Sequence, residues 1–261
     1  MAQDKQFTLE DLNFGGNNYH NMVPENRYNT WWGDECIRTD AEECAVINKI
    51  NGMESKLFTL DEINQITKGD SIHSLMNSAF PYSDKSLVLL SNSKTRMLID
   101  WKAKKIEWMQ SCKGESSEDW SKKSRSVAFV KDDNLFITNT EGKTSQLTTD
   151  GSHNIVYGQS VHRDEFGIYK GTFWSNDGNQ LAFYRMDQSM VPDYPQVDIE
   201  TRIATLEPEK YPMAGETSHK VTIGIYQVKS GKTIYLKAGD PTDRYFTNIT
   251  WSPDDKKIYV I

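Results

Sequence analysis

The side chains capable of chemistry are scattered along this 261-residue chain and form no catalytic pattern. Nucleophilic hydrolysis in an α/β-hydrolase needs a serine within Gly-x-Ser-x-Gly, which the sequence lacks. Gly151-Ser-His153 places a serine beside a histidine, but it follows Gln146-Leu-Thr-Thr-Asp150 and is typical of a polar turn. The sequence therefore predicts no catalytic residue within this chain.

Metal and cofactor sites are also not expected. The histidines and cysteines show no CxxC pattern and no closely spaced histidine pair (His20, His73, His153, His162, His219, Cys36, Cys44 and Cys112). Cys36 and Cys44 are close enough in sequence to pair across a short connection, so a disulfide and two free thiols both remain open. Two adjacent acids, Asp164 and Glu165, could bind a cation, although such a dipeptide is most often a solvated loop.

The elements that must position these residues recur along the chain. Four segments share an aromatic or apolar start, a polar turn and an apolar strand: Phe80–Leu90, Phe129–Ile137, Phe173–Tyr184 and Trp251–Val260. Leu87 and Leu135 are 48 residues apart, Leu135 and Leu181 46, and Leu181 and Ile258 77. The last interval fits one period plus an insertion, because residues 187–219 break the pattern with four prolines.

Hairpins alternate with these segments, with β-branched and aromatic residues flanking polar turns (46–58, 97–108, 135–147 and 221–236). Two hairpins per period make one four-stranded blade, so the pattern predicts an all-β fold, a partial, unclosed β-propeller. We expect about four four-stranded blades plus the first strand of another, at 30–62, 73–112, 124–150, 170–238 and from 248. A β-sandwich is the structural alternative, but sandwiches do not repeat one signature at a fixed long interval.

This register divides the chain into a lead segment, 1–29, and a truncated propeller, 30–261. Ile261 would lie in a strand with no following partner, so we do not expect a natural domain boundary there. The formal net charge of −7 disfavours nucleic-acid binding. No apolar stretch is long enough to span a bilayer, and no apolar leader follows Met1.

Several longer motifs resemble the propeller of the dipeptidyl peptidase IV family, and most closely its bacterial prolyl tripeptidyl peptidases. They are His162-Arg-Asp-Glu-Phe-Gly-Ile168, Gly171-Thr-Phe-Trp-Ser175, Leu181-Ala-Phe-Tyr-Arg-Met-Asp-Gln-Ser-Met-Val191, Tyr211-Pro-Met-Ala-Gly215 and Trp251-Ser-Pro-Asp254. The resemblance is strong from about residue 160 onward and weaker before, where Trp31-Trp-Gly-Asp34 fits the same branch.

The resemblance implies a substrate-gating propeller of a secreted or periplasmic proline-specific serine exopeptidase. Its partners would be peptides with a free N-terminus and a nearby proline, its own C-terminal α/β-hydrolase domain, which this chain lacks, and a second copy in a homodimer. An acidic pair would bind the substrate's N-terminus, and here it falls on Asp164 and Glu165, of which Glu165 matches better.

Dipeptidyl members also carry a substrate-binding arginine on an early-blade excursion. The corresponding stretch, Ser91–Met97, is short here, so that role is not assigned to Arg96, and tripeptide release is favoured. The functional alternative is a non-enzymatic propeller that binds peptides or proteins.

Overall fold

The structure, a computed structural model, describes residues 6–20, 22, 28–111 and 115–261. The chain divides into two compact units between residues 111 and 112. Strands dominate both units, and their pairings in the named sheets are antiparallel. Cys112 lies outside the described residues, as does part of the predicted lead segment.

The described residues of the first unit form two antiparallel sheets and two helices. One sheet has four strands in chain order: β1 (Tyr28–Trp32), β2 (Glu35–Thr39), β3 (Glu43–Ile47) and β4 (Glu54–Thr59). The other has three strands: β5 (Leu87–Ser91), β6 (Thr95–Asp100) and β7 (Lys105–Ser111). An isolated antiparallel bridge pairs Ala79 with Leu89 of β5. The helices are α1 (Asn17–His20) and α2 (Leu60–Thr67).

Helix α2 begins at a complete capping box. The Thr59 side chain accepts from the Glu62 amide, and the Glu62 carboxylate accepts from the Thr59 amide. Ile63 is fully buried in a core with Ile37, Val88 and other apolar side chains. This helix therefore covers apolar side chains that strands alone would leave in water.

The second unit contains a four-stranded and a five-stranded sheet. The first consists of β8 (Ser116–Trp120), β9 (Val127–Lys131), β10 (Asn134–Thr138) and β11 (Thr144–Gln146). The second consists of β12 (Ile155–Tyr157), β13 (Thr172–Trp174), β14 (Gln180–Asp187), β19 (Lys220–Gln227) and β20 (Lys232–Tyr235).

An arm of two short strand pairs leaves the second sheet between β14 and β19. It contains β15 (Asp193–Tyr194) paired with β18 (Glu209–Lys210), and β16 (Val197–Asp198) paired with β17 (Thr205–Leu206). The insertion that the sequence predicts at 187–219 is therefore an ordered β-hairpin. Beyond it, β21 (Thr250–Trp251) pairs with β22 (Ile258–Tyr259).

Two of the repeated segments have the same hydrogen bonds at equivalent positions. Ser175 donates its hydroxyl to Asp177 and accepts from the Gln180 amide, both within 2.9 Å. Ser252 donates to Asp254 at 2.7 Å and accepts from the Lys257 amide at 3.0 Å. The sequence period thus corresponds to a structural repeat, as blades of a propeller require.

The all-β prediction is confirmed, with three differences in detail. The third predicted blade begins earlier than residue 124, because β8 starts at Ser116 and pairs with β9. The last segment adds two short strands instead of one, and Ile261 exchanges backbone hydrogen bonds with Thr247 at 2.7 and 3.0 Å. The fourth predicted blade begins earlier than residue 170, because β12 (Ile155–Tyr157) pairs with β14. All three differences involve strands of two to five residues, which are too short to show a clear periodicity.

Cys36 and Cys44 are free thiols, and the strand register explains why. Cys44 lies opposite Thr39, three residues along β2 from Cys36. Because side chains alternate between faces, an odd offset puts the two thiols on opposite sides of the sheet, where no disulfide can form. Burial raises the pKa of the Cys44 thiol to about 11.

Candidate functional site

The candidate site lies on a loop that interrupts one strand of the five-stranded sheet. Strands β12 and β13 both pair with β14, β12 near its end at residues 185–187 and β13 at residues 181–183. They therefore lie one after the other along the same edge of β14, and residues 158–171 project between them. This interruption carries both acidic residues that the sequence singles out.

The two ends of the loop meet at a narrow neck. Gly158 donates its amide to the Tyr184 carbonyl, and the Tyr184 amide donates to the Gly171 carbonyl, each at 2.9 Å. A Cβ at position 171 would overlap the carbonyl of Gln159, so only glycine allows this approach. Val161 and Ile168, both almost fully buried, fix the two sides of the loop in a core with Tyr184.

Between these buried residues the backbone adopts an uncommon conformation. His162, Arg163, Asp164 and Phe166 have φ values of 53°, 54°, 60° and 55°, in the left-handed region that side chains disfavour. Glu165 is extended, with φ −69° and ψ 161°. Each such residue costs on the order of 1–3 kcal/mol and persists only where the surrounding structure holds it. Residues of this kind cluster at functional sites.

Arg163 ties the loop to the base of the arm. Its guanidinium donates to Glu209 at 3.3 Å and to the Lys210 carbonyl, and it lies 4.6 Å from the centre of the Tyr211 ring. A 3.1 Å ion pair between Lys210 and Asp193 joins the two strands at the base of the arm. Arg163 therefore binds the loop to a part of the arm that has its own side-chain contact.

The two predicted acids differ in their surroundings. The Asp164 carboxylate accepts a hydrogen bond from the Ser160 hydroxyl. Glu165 is exposed, and its side chain has no hydrogen bond or ion pair with any residue that the structure describes, although its carbonyl accepts from Ile168 at 3.1 Å. A carboxylate without an internal partner is free to bind an external cation, so the geometry favours Glu165 over Asp164.

A pair of histidines joins the loop to the residue that precedes β19. Nδ1 of His162 is 3.0 Å from Nε2 of His219, and the His162 backbone amide donates to that same Nε2 at 3.2 Å. The Tyr245 ring also packs against His162, with the two ring centroids 4.1 Å apart. Burial lowers the pKa of His162 to about 4, helped by the neighbouring His219, and burial also lowers the pKa of His219.

A cavity of about 450 Å³ opens beside the loop, within the second unit. Its lining is polar and includes Ser160, His162, Asp164, Glu209 and His219. Glu165 is not part of this lining. Across the described ranges, no group of three or more histidine, cysteine, aspartate or glutamate side chains could hold a metal ion.

Sequence reasoning did not find the residues that hold the loop. His219 and Glu209 lie on or next to the arm, 57 and 46 residues from their partners His162 and Arg163. No local pattern signals such contacts. The histidines appear isolated in sequence, although two of them are in direct contact.

The short turn between β5 and β6 agrees with the sequence. Asn92 accepts from the amides of Lys94 and Thr95 at 2.8 and 2.7 Å and closes the turn. No excursion leaves the sheet there. Of the described helices, none has the length and apolar character needed to cross a membrane.

Residues 82–261 match the family described as the dipeptidyl peptidase IV (DPP IV) N-terminal region. A protein described as a dipeptidyl-aminopeptidase B from Uncinocarpus reesii is 36% identical over 155 residues, which is 52% of this chain and 17% of that protein. A dipeptidyl-aminopeptidase B from Talaromyces stipitatus is 31% identical over 156 residues, with the same coverage. This chain therefore corresponds to a small part of these relatives.

Solved structures extend the likeness to nearly the whole chain. A structure described as a dipeptidyl aminopeptidase IV from Bacteroides ovatus has a TM-score of 0.82 and 42% identity, over 98% of this chain and 36% of that one. Dipeptidyl peptidase 4 from Porphyromonas gingivalis shares the fold, with a TM-score of 0.74, 21% identity and coverage of 98% and 38%. The fold is thus an open all-β propeller, and the chain belongs to the dipeptidyl peptidase IV family, in its N-terminal region.

Proposed function

We propose that this chain is the substrate-gating, N-terminus-recognising propeller of a proline-specific serine exopeptidase. One observation carries the proposal: Glu165 presents a carboxylate with no partner among the described residues, at the tip of a loop with a closed neck and a tethered backbone. A carboxylate about 4 Å from an ammonium gains on the order of 4 kcal/mol at an effective dielectric near 20.

Amine binding at Glu165 would also set the length of the released peptide. Fixing the amine at one distance from a nucleophile allows only peptides of one length to place the scissile bond correctly. The nucleophilic serine would belong to a C-terminal α/β-hydrolase domain of the longer protein. Release of two or three residues fits this scheme. The closed turn at Asn92 favours three, because no excursion leaves the sheet between β5 and β6 to supply a second contact to the substrate backbone.

The test is hydrolysis by the full-length protein. Ala-Pro and Ala-Ala-Pro chromogenic peptides, each with a free and an acetylated N-terminus, should separate the alternatives. We expect cleavage after proline, inhibition by a serine-directed reagent, preference for the tripeptide and strong loss on acetylation. Binding of these peptides without any turnover would instead support the non-enzymatic, peptide-binding alternative.

The arm is our candidate surface for a homodimer of the longer protein. Its apolar side chains are largely exposed (Val197, Ile199, Ile203 and Leu206, at 54%, 81%, 81% and 68%). Exposed apolar clusters of this kind are typical of protein interfaces. We expect Ile199→Asp with Ile203→Asp to shift the full-length protein from dimer to monomer in analytical ultracentrifugation, whereas Ile50→Asp, at an equally exposed apolar site, should not.

We also propose that the protein works outside the cytoplasm, in the periplasm, at the cell surface or in the medium. The similarity to a bacterial dipeptidyl aminopeptidase IV supports this location. Fractionation of the source cells, followed by immunodetection, tests it. Retention of the protein with the cytoplasmic fraction would contradict the proposal.

A further inference from the structure

The hydrogen bonds of the histidine pair determine where its protons lie. Nε2 of His219 accepts from the His162 backbone amide at 3.2 Å, so this nitrogen carries no hydrogen. His162 Nδ1, 3.0 Å from the same Nε2, must then be a donor. His219 is therefore neutral and protonated at Nδ1. His162 is also neutral near pH 7, with its proton on Nδ1, because burial lowers its pKa to about 4. Nε2 of His162 is left as a buried acceptor with no partner among the described residues.

This pair holds the first strained residue of the loop. His162 is 5% exposed, has a φ of 53°, and contacts the His219 and Tyr245 rings, with centroid distances of 4.7 and 4.1 Å. The backbone conformation that begins at His162 sets the position of Glu165, three residues further on. Without an acceptor for the His162 amide, a buried backbone donor would be unsatisfied and the left-handed conformation would lose its anchor.

We propose that His219 is a positioning residue for substrate N-terminus recognition, because its Nε2 holds the His162 amide and thereby the path of the loop to Glu165. The inference rests on the function proposed above. His219 is the last residue of the insertion at 187–219 and immediately precedes β19, so its side chain, like that of Arg163, connects this insertion to the acidic loop. Phe166 strengthens the same contact, since its ring lies 5.3 Å from Tyr245.

Burial, more than the surrounding charges, keeps the pair neutral near pH 7. Burial lowers the pKa values of both rings, and the positive Arg163 lowers that of His219 further. The other ionisable groups facing the cavity that both histidines line are Asp133, His153, Asp164, Glu209 and Lys210. A protonated His219 could not accept from the His162 amide, so recognition requires the neutral ring.

The test uses the full-length protein and its KM for a free-amine tripeptide substrate. We expect His219→Leu to raise this KM about tenfold and to change kcat less than threefold, because amine binding is lost equally from ground state and transition state. His219→Gln should recover most of the affinity, since the Gln amide oxygen replaces Nε2 as acceptor at similar reach. The N-acetylated substrate should be cleaved equally by the wild type and by His219→Leu.

A matched control is His73→Leu, at an exposed histidine in the other unit, which should leave both parameters unchanged. An unchanged KM in His219→Leu, or an equal loss with the acetylated substrate, would overturn the proposal. If Glu165→Gln raises KM and His219→Leu does not, the proposed function stands and the positioning role is refuted. If neither variant changes KM, both are refuted.

A second measurement uses the wild-type protein, so it does not depend on whether a variant folds. Long-range ¹H–¹⁵N spectra of the histidine-labelled full-length wild type should show His162 and His219 neutral and protonated at Nδ1 at pH 7. A proton on Nε2 of His219 would exclude it as the acceptor of the His162 amide and overturn the inference.

Discussion

Replacing Glu165 by glutamine in the full-length protein tests the proposed site most directly. The substitution keeps the size and shape of the side chain and removes its charge. The Glu165 side chain is exposed and has no hydrogen bond or ion pair with any described residue, so the stability of the fold should not depend on it. We therefore expect the thermal unfolding midpoint of Glu165→Gln to match that of the wild type, so that any change in kinetics reports substrate binding.

The size of the kinetic effect depends on how far the amine site is shielded from water. Two unit charges 4 Å apart gain about 1 kcal/mol in bulk water and about 4 kcal/mol at an effective dielectric near 20. Glu165 is exposed in this chain, so a charge-assisted hydrogen bond to it lies toward the upper end where the bound substrate and the proposed hydrolase domain shield it from water. Its loss should cost ~2–4 kcal/mol, or roughly 30- to 1000-fold in kcat/KM.

The assay compares wild type and Glu165→Gln on a prolyl tripeptide substrate with a free or an acetylated N-terminus. Acetylation should cost the wild type a factor similar to that of the substitution. The two changes should be strongly non-additive, because each removes the same charge pair. An unchanged kcat/KM for the free-amine peptide in Glu165→Gln would refute the reasoning and show that the amine is bound elsewhere.

Three further predictions concern the same chain. Asp164→Asn should lower kcat/KM less than tenfold, because the Asp164 carboxylate is already bound by Ser160; an effect as large as that of Glu165→Gln would contradict this. The pKa of His162 is about 4 in the folded chain and 6.5 in the unfolded chain, so on acidification the unfolded chain takes up the proton first. The free energy of unfolding should therefore fall on the order of 2 kcal/mol from pH 6.5 to 4.5. Urea titrations of His162→Gln should show a smaller decrease over the same pH range. The isolated 261-residue chain should hydrolyse no prolyl peptide, and serine-inhibitable turnover by the purified chain would show that prediction to be wrong.

Much of the strand arrangement was predictable because it depends on local periodicity. The hairpins of β3–β4, β6–β7, β10–β11 and β19–β20 all form where alternating apolar residues flank polar turns. Weakly patterned strands were missed. β8, with the sequence Ser-Ser-Glu-Asp-Trp, has no apolar face that periodicity could detect, and it joins its sheet through backbone pairing with β9.

The candidate site was predictable only in part. Asp164 and Glu165 were identified by a resemblance of the flanking residues, and their role in substrate binding stays a prediction. The resemblance could not indicate that Ser160 donates a hydrogen bond to Asp164, whereas the Glu165 side chain has no partner among the described residues. That difference depends on side-chain directions in a strained backbone, which the order of residues does not specify.

The sequence by itself determined the class of fold and the repeat, because strand periodicity and turn residues act over a few neighbouring positions. The acidic loop was located by the resemblance of its flanking residues. Only the tertiary structure decided what holds that loop. The closure of its neck at Gly158 and Gly171, and the contact between His162 and His219, follow from where β14 and the arm bring distant segments together. Such contacts are set by the packing of whole sheets, and no interval along the chain encodes them.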